Sequence, residues 1–304
     1  MRYGWSEEKE DLDKCILHFT EAILLPPLPM AGVGFNIIEL LFRLASALLN
    51  RSKKFGQLDD VRYAIEYLRY LRGLPLDSFD VLRNKATESL IEALCLHVQL
   101  GTRDATRNIE EVLVLCHELL ASDISTGFPT AAFTSLYPAI HAELFRGRHG
   151  PLLDEAIGCL RDAVKVCPPH LHQVHLGLAG ALYDRFAMTH SRDDYEDARA
   201  LFESVVYPNH SGENLDSEQL LALMGLLGLA YSRATYFKNP EYFEYLIVAP
   251  CSAVLPFRKV FVLISPGPWC FAQEGAFNIT VFLTAFRKQA PLIQNLPGLY
   301  LLKT

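Results

Sequence analysis

The sequence predicts an all-α protein, a solenoid of stacked helix pairs, and three observations carry that reading. One short phrase recurs: LASALLNR from Leu44, LAGALYDR from Leu178 and LLGLAYSR from Leu226, with weaker copies LIEALCLH from Leu90 and LYPAIHAE from Leu136. A polar turn follows each copy, and then a second stretch with apolar or small residues at i, i+3, i+4 and i+7, the stripe of a helix that buries one face. The interval is nearly constant. Each leading leucine precedes its partner anchor by 17, 19, 17, 17 and 17 residues, and successive anchors lie 49, 48, 44, 42 and 48 residues apart. A single helix pair cannot bury its stripe, whereas a stack of pairs makes a continuous core.

In chain order, the first element is an unpaired second-type stripe, Leu12-Cys15-Ile16-Phe19. The stretch AGVGFN, residues 31–36, reads as a link to the next helix: it holds G-x-G, but no strand precedes it and the third glycine of a nucleotide loop is missing. After the Leu44 phrase, Gly56 is expected to end the helix and Asp59 or Asp60 to cap the stripe Val61-Ala64-Ile65-Leu68. The Leu90 phrase leads to Ile109-Val112-Leu113-Cys116. The Leu136 phrase leads, through Gly150 and then Pro151 at a first helical position, to Leu153-Ala156-Ile157-Leu160.

Pro168 and Pro169 stop that helix, and residues 172–186 form the next, which ends at a turn where Ser191 or Asp193 caps Tyr195-Ala198-Arg199-Phe202. After the Leu226 phrase, Asn239 as cap, Pro240 and Glu241 open a last stripe at Phe243-Leu246-Ile247. The turns within pairs are short, so the paired helices are expected to run antiparallel.

The second stripes carry a further spacing: a small residue, leucine or an aromatic four on, alanine three further and proline five after that, as in Ala156, Leu160, Ala163 and Pro168, and in Cys15, Phe19, Ala22 and Pro27. This resembles the tetratricopeptide repeat (TPR), although these units run longer than its usual length of about 34 residues. The longer pattern LAGALYDRF, a polar turn and then D-x-x-x-A at Asp194 and Ala198, is similar to the arrays that precede CHAT domains in fungal proteins.

The resemblance spans residues 8–249. It implies a right-handed superhelix whose first helices line a concave groove, and a non-catalytic interaction or regulatory scaffold, not an enzyme. The alternative it implies is the regulatory fragment of a CHAT-type caspase-like peptidase without its catalytic domain. The implied partner is another protein or peptide, including a catalytic domain of the parent chain. Asn50, Asp184 and Arg185, on the first helices, are the candidate partner-binding residues.

Composition narrows the classes. The chain has 304 residues, half of them apolar, and a net charge of −7, which argues against a surface built to neutralise phosphates and so against nucleic acid as a partner. Seven cysteines, odd in number and without a C-x-x-C pair, read as reduced thiols of a cytoplasmic protein. The opening MRYGWSEEKEDLDK has five acids and no apolar core, so no secretory signal is expected.

Candidate chemistry is sparse. CPPHLHQVH places Cys167, His170, His172 and His175 close together, with His172 and His175 on one helical face, as two ligands of a transition metal would be. His170 and Cys167 fall in the preceding loop, however, and the favoured reading is a solvated first turn with no metal or other cofactor. Arg51, Arg185 and Arg233 recur at one place in the phrase, and each has an acid eight residues later: Asp59, Asp193 and Glu241. Pairing across the turn is expected to outweigh a ladder of arginines for a peptide carboxylate. Cys116 and His117 are adjacent on one helix and point about 100° apart, so they do not form a thiolate–imidazole pair.

Residues 250–304 break the pattern, with six prolines, five basic residues and the single acid Glu274. The apolar run GAFNITVFLTAF has twelve residues where a membrane span needs about 20, so a membrane is not an expected partner. Two readings of this irregular C-terminal segment stand: a cap over the open end of the array, and a tail that the array did not evolve with. The expected organisation is a repeat array over 1–249 and this segment over 250–304.

Overall fold

A computed structural model describes residues 9–24, 37–74, 80–122, 127–147, 150–168, 170–206 and 217–237. Over these residues the chain is helical, without strands. The helices are α1 (Lys9–Leu24), α2 (Ile37–Phe55), α3 (Leu58–Gly73), α4 (Asp80–Gln99), α5 (Ala105–Ala121), α6 (Thr130–Phe145), α7 (Gly150–Val166), α8 (His172–Thr189), α9 (Arg192–Val206) and α10 (Ser217–Phe237). The chain divides into two compact units, residues 1–229 and 230–304; the boundary expected at 249, the stripe from Phe243 and the Asn239 cap lie outside the described residues.

The recurring phrases fall on α2, α4, α6, α8 and α10, and the second stripes on α3, α5, α7 and α9. Their periodicity is what builds the core. Val61, Ala64, Ile65 and Leu68 are all buried, as are Ile109, Val112, Leu113 and Cys116, and Leu153, Ala156, Ile157 and Leu160. From the phrases, Leu44, Ala45, Ala47 and Leu48 are buried, and so are Leu178, Ala179, Ala181 and Leu182. Each fully buried leucine, isoleucine or valine contributes about 1.5–3 kcal/mol relative to exposure, so stripes of this regularity dominate the stability of the helical core.

Helices pack in chain order. α2 packs on α3, α3 on α4, α4 on α5, α7 on α8 and α8 on α9, while α4 also meets α6, α5 meets α7 and α6 meets α8. Every extensive contact among the described helices therefore joins a helix to the next or to the next but one.

Close approach is bought by small residues. A Cβ on Gly180 of α8 would overlap ring carbons of Tyr137 on α6, and a Cβ on Gly225 of α10 would overlap the ring of Phe202 on α9.

Turn chemistry follows the residues. Gly56 takes φ +68°, a left-handed conformation that glycine adopts without strain, and its N–H bonds the Ser52 carbonyl at 2.7 Å to end α2. Ser191 accepts the Asp194 N–H at 3.4 Å and caps α9, whereas Asp59 and Asp60 sit inside the first turn of α3, which begins after Gln57. Pro151 lies in the first turn of α7 and His172 opens α8.

Candidate functional site

The three candidate residues sit near the C-terminal ends of α2 and α8, where the arginines of the phrase each tie three helices together. The Arg51 Nε and Nη2 donate to Oδ2 and Oδ1 of Asp60 on α3 at 2.7 and 2.6 Å, and Nη1 donates to Asp13 of α1 at 2.6 Å. Arg185 repeats this: Nε and Nη2 fork onto Asp194 of α9, with Nε to Oδ2 at 2.9 Å, and Nη1 reaches Asp154 of α7 at 2.8 Å.

Asp60 and Asp194 are only 7% and 5% exposed, so their charges depend on the two-point guanidinium fork and on the positive helix end beside them. The hydrogen bonds to Asp60 and Asp194 are the largest influence raising the two arginines above their usual range, against burial. The expected pairing across the turn is present, one residue further on than expected: the acid nine positions after the arginine is used, and Asp59 is largely exposed beside Arg62. The corresponding pairing of Arg233 with Glu241 lies outside the described residues.

Asp184, next to Arg185, is turned to α6. Its Oδ2 lies 2.7 Å from His141 Nδ1. The Tyr137 and His141 rings have centroids 5.6 Å apart, and the missing side chains of Gly177 and Gly180 make room for the tyrosine. The bond to Asp184 holds the imidazolium of the half-exposed His141 and raises its pKa against the effect of burial. Burial, followed by the charge of Asp184, pushes the Tyr137 hydroxyl well above its usual range. Asn50 occupies on α2 the place of Asp184 on α8, six residues after the phrase leucine, and is half-buried.

In the two phrases without arginine, the arginine's place, seven residues after the leucine, holds His97 on α4 and Glu143 on α6. His97 Nδ1 lies 2.8 Å from Asn108 Nδ2, so the imidazole accepts there and carries its hydrogen on Nε2, which is buried without a partner. Burial, then Arg62, lowers its pKa. Glu143 holds Arg146, whose Nη1 and Nη2 donate to the carbonyls of Val98 and Gln99 at 3.0 and 3.3 Å at the end of α4.

The histidine stretch does not converge. His170 is exposed, His172 is half-buried, His175 Nδ1 lies 3.3 Å from the Leu171 carbonyl, and buried Cys167 donates to Val164 O at 3.6 Å. Among the described residues no three histidines, cysteines or acids are arranged to hold a metal ion, and no helix is long and apolar enough to cross a membrane. The Cys116 thiol is held far above its usual range, first by its hydrogen bond with Cys159 and then by burial, while the neighbouring His117 is exposed.

His141 and Tyr137 were not among the sequence candidates. A signal was available: Tyr137 is bulky where other phrases have Ala45 and Ala179, and the following phrase answers it with Gly180. No family model matches the chain, and neither a curated protein nor a solved structure does.

Proposed function

We propose that the chain is a right-handed, TPR-like solenoid of antiparallel helix pairs that acts as a non-catalytic scaffold, holding another protein or a peptide along a concave groove lined by α2, α4, α6 and α8. The observation that carries this reading is recurrence of bonds and not only of residue types. Arg51 and Arg185 occupy one repeat position, and both bind the acid before their own second-helix anchor and the acid after the preceding one. Between second helices, Arg69 pairs with Glu111 and Arg161 with Asp197, again at matching places. Bonds repeated at matched positions are what a stack built by one operation produces, and such a stack presents a continuous groove.

The non-catalytic reading is supported by the burial of the Cys116 thiol and by the commitment of Arg51 and Arg185 to structural acids. The free thiols of Cys15, Cys95, Cys116, Cys159 and Cys167 fit a reducing compartment such as the cytoplasm.

The test is selection of a displayed random-peptide library on the intact chain, followed by titration of an enriched peptide. Asn50→Ala and His141→Ala should weaken it about tenfold or more, equivalent to about 1.4 kcal/mol, whereas Tyr63→Ala on the exposed side of α3 should not. Peptides whose binding responds only to Tyr63→Ala would remove the groove from the proposal.

A further inference from the structure

Along α6, Thr134, Pro138 and His141 stand at i, i+4 and i+7, a spacing that sets them on one face, and that face is open: Pro138 and His141 are exposed and Thr134 is half-buried. Proline has no N–H, so the Thr134 carbonyl lacks the donor that a helix supplies four residues on. The Thr134 hydroxyl is turned back to the carbonyls of Thr130 and Ala131, at 3.0 and 3.3 Å. Two turns further along, His141 offers the opposite group. Asp184 has only acceptor oxygens, so His141 Nδ1, 2.7 Å away, carries the hydrogen of that bond. Nε2 is left over on a half-exposed side chain, and the Tyr137 ring, seated against Gly177 and Gly180, restrains the imidazole at 5.6 Å.

We propose that Thr134 and His141 form a two-point subsite for the main chain of the bound segment: the Thr134 carbonyl accepts a peptide N–H, and His141 Nε2 donates to a peptide carbonyl while the imidazole carries both hydrogens. The subsite rests on the scaffold reading of the groove and deepens it, naming what α6 reads and what switches it. The two residues lie about 10 Å apart along the helix axis, a distance that an extended segment covers in about three residues. Neither contact uses the segment's side chains, so the subsite fixes its position without selecting its sequence.

The switch follows from the bond to Asp184. As an imidazolium, His141 has a hydrogen on Nε2. Once neutral, it keeps its hydrogen on Nδ1 against Asp184, and Nε2 turns a lone pair towards the carbonyl it had held. The other charged groups on the helices packed against α6 are directed elsewhere. Glu88 of α4 meets the Ala131 N–H and Glu92 meets Lys53; Glu111 and Glu118 of α5 meet α3; Asp154 and Arg161 of α7 meet Arg185 and Asp197; and Arg185 of α8 forks onto Asp194. Asp184 alone therefore keeps the imidazolium to a higher pH than usual. Binding is tight below the folded pKa of His141 and weak above it.

The experiment takes a library peptide that His141→Ala weakens and titrates it into the intact chain from about pH 6 to about pH 9, a span that covers a histidine raised above about 6.5. Affinity should fall about tenfold or more across that span, the loss of one charge-assisted hydrogen bond, and in His141→Gln the profile should be flat. Pro138→Ala gives the helix its missing N–H, so at fixed pH it should weaken the peptide about fivefold while raising the urea midpoint. Methylating one peptide-backbone nitrogen should cost the same in the wild type, a change that leaves the protein untouched, and add nothing in Pro138→Ala. A flat pH profile in the wild type, full affinity in Pro138→Ala, or tolerance of methylation at every peptide nitrogen overturns the subsite and leaves the scaffold reading standing. A library that yields only peptides indifferent to His141→Ala overturns it as well, and one that yields no peptide removes the scaffold reading too.

Discussion

Gly180 and Tyr137 occupy one space: the tyrosine ring of α6 lies where a Cβ on Gly180 of α8 would stand. Gly180→Ala gains about 1 kcal/mol of helix propensity but overpacks this contact, typically at 1–3 kcal/mol, and displaces a ring that also packs against His141. The variant should be destabilised by about 1 kcal/mol in urea unfolding. Gly158→Ala on α7, where a Cβ meets nothing within 4 Å, should instead be stabilised by about 0.5–1 kcal/mol. Equal effects at the two sites would contradict the close approach of α6 and α8.

The arginine clamps predict a sharp contrast among ion pairs. Asp194→Ala leaves Arg185, 22% exposed, without its fork, and should cost about 2–3 kcal/mol. Arg185→Lys should recover little, since an ammonium cannot make the two-point fork and reach Asp154 as well. Breaking the exposed Lys14–Glu10 pair should change stability by about 0.5 kcal/mol or less. Urea midpoints of the three variants check this directly.

What sequence reading could and could not reach is visible at these clamps. The periodic stripes, Gly56, Ser191 and the pairing of each phrase arginine with an acid across its turn are local, and residue spacing alone points to them. The choice between Asp59 and Asp60 depends on the helix start to one residue, because one step turns a side chain by about 100° from solvent to core. Asp13 and Asp154 come from the helices just before α2 and α8, α1 and α7, and nothing in the local pattern assigns them. The Asp184–His141–Tyr137 cluster was legible only in part: bulky Tyr137 and the answering Gly180 point to a close approach of two phrases, but the packing distance that brings Asp184 to His141 is defined only by the folded backbone.

His97 and His141 should give pH dependences of opposite sign. The His97 pKa is lowered in the folded state by burial and by Arg62, so the stability its neutral form supports is present above the ordinary value of about 6.5 and is lost as pH falls towards the folded value. The His141 pKa is raised by its bond to Asp184, so its contribution is complete below about 6.5 and disappears as pH rises through the folded value. Imidazole proton shifts followed by NMR should show His97 titrating below, and His141 above, a histidine in the urea-unfolded chain. In His97→Gln the loss of stability between neutral pH and pH 5 should shrink, and in His141→Gln the decline on the alkaline side should flatten.

Arg146 closes the end of α4 from outside. The last carbonyls of a helix lack intrahelical donors, and Arg146 supplies two, at Val98 and Gln99, while Glu143 holds the guanidinium in place. Gly101, with φ +84°, turns the chain beneath it, the guanidinium lying 3.4 Å from where its Cβ would be. Arg146→Ala should therefore fray the last turn of α4, at about 1–2 kcal/mol. The amides of Leu100 and Gly101, which bond the Leu96 and Val98 carbonyls, should then exchange with solvent about tenfold faster or more, in proportion to that loss, while amides in the middle of α8 should keep their protection. Arg146→Lys should restore at most one of the two carbonyl bonds and leave most of the fraying. Unchanged exchange at Gly101 in Arg146→Ala would mean that the turn holds itself and that Arg146 only covers it.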